Sequence, residues 1–261
     1  MSEIWRLIDS GPCSAAFSMA LDEAISRHVR EKNQPPTLRF YGWDRPSVSL
    51  GRFQKSSDID LEYCREKNIP VVRRPTGGRA ILHGDELTYS FAVRTDTGPF
   101  NCGLLESYRL LSEAFLSAFR NAGISAESKE RREKGRVLTG SPLCFRTSSY
   151  KEILSNNNKL IGSAQRRWKD GLLQQGSIPL SYDRESVRRV FRICSPDIQM
   201  AGLNESGNAA EIQVLKRLLS EAFEEIFSVS LQASHPSEEE LLLAVELQEQ
   251  KYFQGSWNLR Q

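Results

Sequence analysis

Apolar positions recur at helical spacing over Ser14–Arg30, where Phe17, Ala20, Leu21, Ala24, Ile25 and Val29 form one stripe and Asp22, Glu23 and Arg27 fall elsewhere on the wheel. The period then shortens to two. Leu38 and Phe40 alternate with polar neighbours, Val48 and Leu50 do the same, and Ile69–Val72 is a short apolar run. Leu87, Tyr89, Phe91 and Val93 line one face of a strand whose other face carries Thr88 and Ser90. The helical period returns over Leu104–Ala122, with Gly123 suited to the left-handed residue after the helix end. Tyr150–Leu154 and Leu160–Ala164 read as strands of a hairpin turning at Ser155–Asn158, and Leu172–Leu180 adds another strand. A stripe of Leu215, Leu218, Leu219, Ala222, Phe223 and Ile226 makes Ala209–Phe227 helical. Ser237 followed by Glu240 is a capping box opening a last helix to about Lys251. Strands bracketed by helices predict an α+β fold, one sheet system with helices packed on it.

Composition narrows the class. The chain has 261 residues, 39% hydrophobic and 26% charged, with a net charge of +2, which suits a folded chain with its own core and excludes a disordered one. No apolar run approaches the roughly 20 residues that a membrane-spanning helix needs. Glu3, Arg6 and Asp9 make the first ten residues unlike a secretory signal, so the expected location is the cytoplasm. The five cysteines, 13, 64, 102, 144 and 194, lie far apart, and with three histidines they offer neither a disulfide framework nor a zinc site. No metal is expected.

Two stretches carry candidate chemistry. Arg73-Arg-Pro-Thr-Gly-Gly-Arg-Ala-Ile-Leu-His83 runs one short strand through a Pro-Thr-Gly-Gly turn into another. It reads either as an ordinary hairpin turn with surface arginines or as a loop whose backbone amides at Gly77 and Gly78 meet an anion or a carbonyl oxygen. His83, at the end of the second strand, is either a base or substrate contact or a hydrogen-bonded structural residue. In the second stretch Cys144 lies in a polar loop leading into a strand, and Lys159 begins the return strand of the hairpin. A thiol needs a nearby cation to be largely thiolate at neutral pH, so Cys144 is an activated nucleophile if a cation reaches it and an inert loop cysteine otherwise. In an in-register hairpin Lys159 pairs near Leu154, so the two meet only if residues 140–147 curl back over the sheet. Cys64 and Cys194 read as packing residues, and Cys13 and Cys102 as turn residues without an activating partner. Lys129–Arg136, with five basic and two acidic residues, reads as a solvated loop.

At these stretches the chain resembles the biotin/lipoate protein ligase superfamily and, within it, the octanoyltransferases of the LipM type. The matching residues are Arg73–His83 with Glu86–Ser90, Cys144-Phe145, Ser149-Tyr150, Lys159–Arg166, Leu173–Leu180 and the early Met19–Ala24. The resemblance implies a catalytic domain over residues 1–230 built on a mixed β-sheet with helices packed on it, with 231–261 a helical extension packed on the same domain, and an acyl chain held in a tunnel between sheet and loops. It also implies Cys144 as acyl-carrying nucleophile, activated by Lys159. Arg73, Arg74, Gly77, Gly78, His83, Gly162 and Ser163 become the expected substrate contacts. The implied reaction moves octanoyl from acyl carrier protein to a lysine of a lipoyl-domain protein, such as glycine cleavage H protein, in lipoate biosynthesis. The expectation is a monomer acting without a cofactor. Gln175 departs from the family's usual His, and Arg146-Thr147 replaces a small residue and Pro.

Other readings differ at specific residues. An ATP- and Mg²⁺-dependent lipoate–protein ligase shares the arginine–glycine loop and the lysine but does not need Cys144, and usually has Gly-Asn where this chain has Gly84-Asp85-Glu86. An amidotransferase between lipoyl domains also uses a cysteine. A nucleic-acid module would use Arg73, Arg74, Lys129–Arg136 and Arg166–Lys169, but no recognisable nucleic-acid motif accompanies them, and no such partner is expected. The same basic residues also suit docking of an acidic carrier protein.

Overall fold

A strand with apolar residues on both faces must be covered on both sides, and the central sheet is. The computed structural model describes residues 2–96, 98–128, 153–155, 158–193, 202–206 and 211–260. In chain order the elements are β1 (Glu3–Cys13), α1 (Ala15–Glu31), β2 (Thr37–Trp43), β3 (Ser47–Leu50), α2 (Leu61–Glu66), β4 (Val71–Arg73), β5 (Ile81–His83) and β6 (Glu86–Arg94). There follow α3 (Leu104–Asn121), β7 (Glu127–Ser128), β8 (Ile153–Ser155), β9 (Asn158–Lys159), β10 (Gly162–Arg167) and β11 (Gly171–Pro179). The chain closes with α4 (Arg184–Val190), α5 (Ile212–Phe227), β12 (Val229–Ser234), α6 (Glu238–Leu247) and α7 (Gly255–Asn258).

The main sheet has the order β10-β11-β6-β2-β1-β12. Its β1–β2 and β1–β12 pairs are parallel and the others antiparallel, the mixed sheet that the resemblance implies. On one face Trp5, Phe40, Tyr89 and Phe91 pack against Phe115 and Phe119 of α3 and Leu219 and Phe223 of α5. On the other, Tyr41, Ala92 and Leu173 pack against Met19, Leu21 and Ile25 of α1, with Ala244 and Leu247 of α6 behind them. A second sheet, β4-β3-β5, packs with α2 and α4 around Val48, Leu50, Cys64 and Val190. This sheet carries the arginine–glycine loop.

Several local expectations hold. Ser237 and Glu240 form the reciprocal capping box, Gly123 has φ +73°, and Leu154 pairs with Lys159. Others need correction. Leu160–Ala164 is not one strand: Lys159 ends β9 in a small sheet, buried Leu160 and Ile161 cross over, and β10 starts at Gly162 on the edge of the main sheet. An apolar pair inside a crossover has the same local signature as a strand residue pair. Cys13 ends β1 rather than occupying a turn, and the last helix gives way to a π-helical turn, Gln248–Tyr252. Strands β1 and β12 go unread in the sequence because each depends on a distant parallel partner. Residue 230, the expected end of the catalytic domain, lies inside β12. No described helix is long and apolar enough to cross a membrane.

The C-terminal residues are tied to the body by buried charge. Arg6 donates to both carboxylate oxygens of Glu240 at 3.0 and 2.6 Å. Glu23 of α1 accepts from Lys251 Nζ (2.5 Å), Tyr252 Oη (2.5 Å) and Arg27 Nη2 (2.7 Å). Burial pushes the Glu23 carboxyl up, but the Lys251 charge and these hydrogen bonds outweigh it and bring the pKa from 4.5 down to about 2. A carboxyl with a depressed folded-state pKa adds stability above its unfolded value, and that stability fades as pH falls toward the folded value. Acidification from about pH 5 toward pH 2 should therefore remove about 3 kcal/mol in the wild type. In Glu23→Gln the loss over that window should be smaller, read as a flatter dependence of the urea midpoint on pH. Identical slopes would contradict the assignment.

Candidate functional site

Adjacent arginines on a short strand would be expected at the surface, yet Arg73 and Arg74 are 0% and 4% exposed. Each guanidinium is taken up by backbone carbonyls. Arg73 donates to the carbonyls of Gly51 (2.8 Å), Trp257 (3.0 Å) and Arg260 (3.0 Å), so it joins the segment after β3 to α7 and the residues beyond it. Burial and the neighbouring Arg260 bring its pKa down to about 10. Arg74 donates to the carbonyls of Ser49 (2.9 Å), Gly77 (2.7 Å) and Arg79 (2.6 Å), and so folds the Pro75–Arg79 turn around its own side chain. Gly78 has φ +82°, which favours glycine, and a side chain there would press on Arg74 and on Ala164 of β10. A Cβ on Gly51 would collide with the Gly78 carbonyl. The turn is thus seated against both β3 and β10. The reading of an ordinary turn with surface arginines is overturned, because the carbonyls of three segments converge on these two side chains.

Beneath the turn lies a narrow cavity of about 20 Å³, lined by Arg74 and His83, by Gly162, Ser163 and Ala164 of β10, and by Ser49, Trp43 and Gln175 among others. It has room for about one water. Of the residues singled out from sequence, Arg74, His83, Gly162 and Ser163 meet at this cavity, and Gly77 and Gly78 form the turn above it. Arg73 does not line it. Lys159 is 3% exposed, at the end of β9 and three residues before Gly162. Cys144 lies outside the described residues, as do Lys129–Arg136, Ser149-Tyr150 and Cys194.

His83 is both fully partnered and cavity-facing. Its Nδ1 lies 2.8 Å from Glu86 Oε1, its Nε2 lies 2.7 Å from Ser49 Oγ, and its ring stacks on Trp43 with centroids 3.9 Å apart. Glu86 Oε1 also accepts from Thr88 Oγ1 (2.5 Å) and Trp43 Nε1 (3.1 Å). Burial raises the Glu86 pKa, but the His83 charge and the hydrogen bonds with His83 and Thr88 prevail and hold it below the usual carboxylate range. Arg74 Nη1 donates to Ser49 Oγ, which lies against His83 Nε2, while His83 Nδ1 lies against Glu86. The arrangement fixes the ring's orientation and links it to the arginine of the turn.

A second polar network explains Gln175. Its Nε2 donates to Asp22 Oδ2 at 2.7 Å, and its Oε1 accepts from Thr76 Oγ1 at 2.8 Å. Asp22, fully buried on α1, also accepts from Arg39 (2.7 Å), Ser90 (2.6 Å) and Tyr41 (3.0 Å). Gln175 therefore clips the turn to the long helix through the sheet. Sequence reasoning missed Ser49, Glu86, Thr76 and Asp22 as parts of this frame. A signal was present for two of them, since Glu86, Thr88 and Ser90 make a polar face on a strand whose opposite face is apolar, and Asp22 interrupts an otherwise buried helix face.

The described cysteines are not activated. Burial pushes the thiols of Cys13 and Cys102 up, and that of Cys64 to about 11. Among the described residues, no group of three or more His, Cys, Asp or Glu is placed to hold a metal ion.

A mixed sheet covered on both faces, carrying an arginine-held glycine turn over β10, is the frame of a lipoyl-ligase-like domain, and the chain belongs to the family described as lipoyl protein ligase A/B catalytic domain, matched over residues 14–224. It is 37% identical over 274 residues to the octanoyltransferase LipM of Bacillus subtilis, covering 99% of both chains. It is 41% identical over 229 residues to the octanoyltransferase LipM of an Exiguobacterium species, covering 85% of this chain and 82% of the other. Among solved structures it is similar to protein Ta0514 of T. acidophilum with bound lipoic acid, at a TM-score of 0.83 and 25% identity over 99% of each chain. The fold of lipoate-protein ligase A bound with ATP matches at a TM-score of 0.83 and 24% identity, over 99% of each chain.

The clip made by Gln175 can be tested directly. Gln175→Leu keeps the volume roughly and leaves the Thr76 hydroxyl and one Asp22 oxygen short of a partner, at a cost of about 1–3 kcal/mol. The thermal midpoint should fall by about 2–4 °C for each kcal/mol lost. A midpoint equal to that of the wild type would show that the bridge carries no stability.

Proposed function

We propose that the protein is an octanoyltransferase of lipoate biosynthesis that moves an octanoyl group from acyl carrier protein through a thioester on Cys144 to a lysine of a lipoyl-domain protein. The similarity to the Bacillus subtilis octanoyltransferase LipM over 99% of both chains carries this reading. In the first step the Cys144 thiolate attacks the thioester carbonyl, a new carbon–sulfur bond forms, and the carrier leaves as its thiol after taking up a proton. In the second, the acceptor lysine, as free amine, attacks the Cys144 thioester. The carbon–sulfur bond breaks, an amide forms, and the lysine's proton is released. Exchange between thioesters is nearly balanced in energy and amide formation is downhill, so no ATP is needed.

On this reading Lys159 supplies the positive charge that favours the thiolate, since an ammonium 3% exposed favours an anionic neighbour over a neutral one. The amides of Gly77 and Gly78 are suited to receive the oxyanion, and Gly162, Ser163, His83 and Arg74 to border the reacting group. The enzyme acts as a monomer in the cytoplasm and needs neither metal nor cofactor. A second reading, ATP-dependent ligation of lipoate, draws on the likeness to the T. acidophilum protein with bound lipoic acid.

Transfer from octanoyl carrier protein to an apo lipoyl domain in ATP-free buffer separates the two. The wild type should transfer and Cys144→Ala should not, with a loss of at least about 10³-fold expected for a nucleophile. Wild-type rates in Cys144→Ala would remove this cysteine from the mechanism.

A further inference from the structure

Beyond Ala164 the cavity wall continues into a surface of a different character. Arg166 follows Ala164 by two residues on β10 and so shares its face, and Arg52 follows Gly51, whose backbone packs on the Gly78 carbonyl. Around these two lie Trp168, Trp257, Lys251, Arg30 and Arg260. Arg166 and Arg30 lie over the Trp168 ring at 4.2 and 4.1 Å from its centroid. Lys251, Arg260 and Arg52 lie over Trp257 at 4.1, 4.5 and 5.6 Å.

The charges here do not balance. Glu23 answers Lys251 and Arg27, and Asp170 and Glu31 answer Arg30. Among the described residues no carboxylate pairs with Arg52, Arg166 or Arg260. Burial, and then the charge of Arg52, lower the Arg166 pKa; the charge of Glu23 pulls it up without cancelling them. A solvated basic face spreads its cations into water, whereas this one holds guanidiniums against indole rings, half-buried and close together. Such a cluster is relieved by an anion that several guanidinium forks can share, the geometry in which arginine binds phosphate.

We propose that Arg52 and Arg166, backed by Trp257 and Trp168, bind the phosphodiester of the pantetheine arm that carries the donor thioester. The inference rests on the octanoyl-transfer reading for its choice of ligand. An acyl carrier protein presents its acyl group at the sulfur end of that arm, and the phosphate is at the opposite end. A phosphate seated at Arg52 and Arg166 leaves the arm free to run past Ala164 toward Gly162 and the glycine turn. Acidic side chains of the carrier protein are the other source of negative charge, and a ligand without the protein separates them.

Binding of 4′-phosphopantetheine and of pantetheine to the full chain should be compared by the fluorescence of Trp168 and Trp257 or by calorimetry, in the wild type, in the Arg52→Gln and Arg166→Gln single variants, and in the double variant. The phosphorylated arm should bind the wild type about tenfold more tightly, as expected for charge-assisted hydrogen bonds to an anion. The ratio should approach one in the double variant, and it should shrink in the wild type as salt is raised. Arg166→Lys, which keeps the charge without the fork, should retain part of the preference and serves if a Gln variant folds poorly. Equal binding of the two ligands by the wild type, or an undiminished preference in the double variant, would overturn the proposal. Because binding is read without turnover, that failure stays distinct from a failure of octanoyl transfer, which the ATP-free assay reads.

Discussion

The Arg74 guanidinium is the contact from which the site is built. A cation removed from water is costly unless its donors are met, and here the carbonyls of Ser49, Gly77 and Arg79 meet them. In satisfying the arginine, those carbonyls fix the path of the turn, place Gly78 in a left-handed conformation, and set it against Ala164. Arg73 performs the same service in the other direction, gathering the segment after β3 and the carbonyls of Trp257 and Arg260. One dipeptide thus anchors the glycine turn to the body on one side and the C-terminal residues on the other. Neither arginine needs to touch substrate to be indispensable to the shape of the cavity.

Two buried carboxylates complete the frame. Asp22 reaches the turn through Gln175 and Thr76, and Glu86 orients His83, whose other nitrogen meets Ser49 beside Arg74. The turn, the histidine and the long helix α1 are therefore held by one connected set of hydrogen bonds through the sheet. Where the resemblance leads one to expect an imidazole, Gln175 supplies a neutral group able to donate to Asp22 while accepting from Thr76. An amide does this at any pH in the working range, whereas an imidazole would do it in one protonation state only.

Much of this architecture is legible in the sequence because it is local. The helical period of α3 and α5, the capping box at Ser237, the alternation in β6 and the pairing of Leu154 with Lys159 each follow from residues within a few positions of one another. What was not legible is non-local. Asp22 and Glu23 look like solvent-facing positions on the α1 wheel, and only Arg39, Gln175 and Lys251, far along the chain, make their burial possible. The same holds for the arginines at 73 and 74, whose carbonyl partners at 257 and 260 no motif announces. Leu160 and Ile161 have the composition of a strand and serve as a crossover between two sheets.

The central claim is that a sulfur carries the acyl group between two partners without an activated acid. Mass spectrometry of the pure protein after incubation with octanoyl carrier protein, with no ATP present, tests it most directly. The account predicts a mass increase of one octanoyl group, located on the peptide containing Cys144 and removed by adding an apo lipoyl domain. No adduct, with lipoyl-domain modification appearing only when free acid and ATP are supplied, would contradict it.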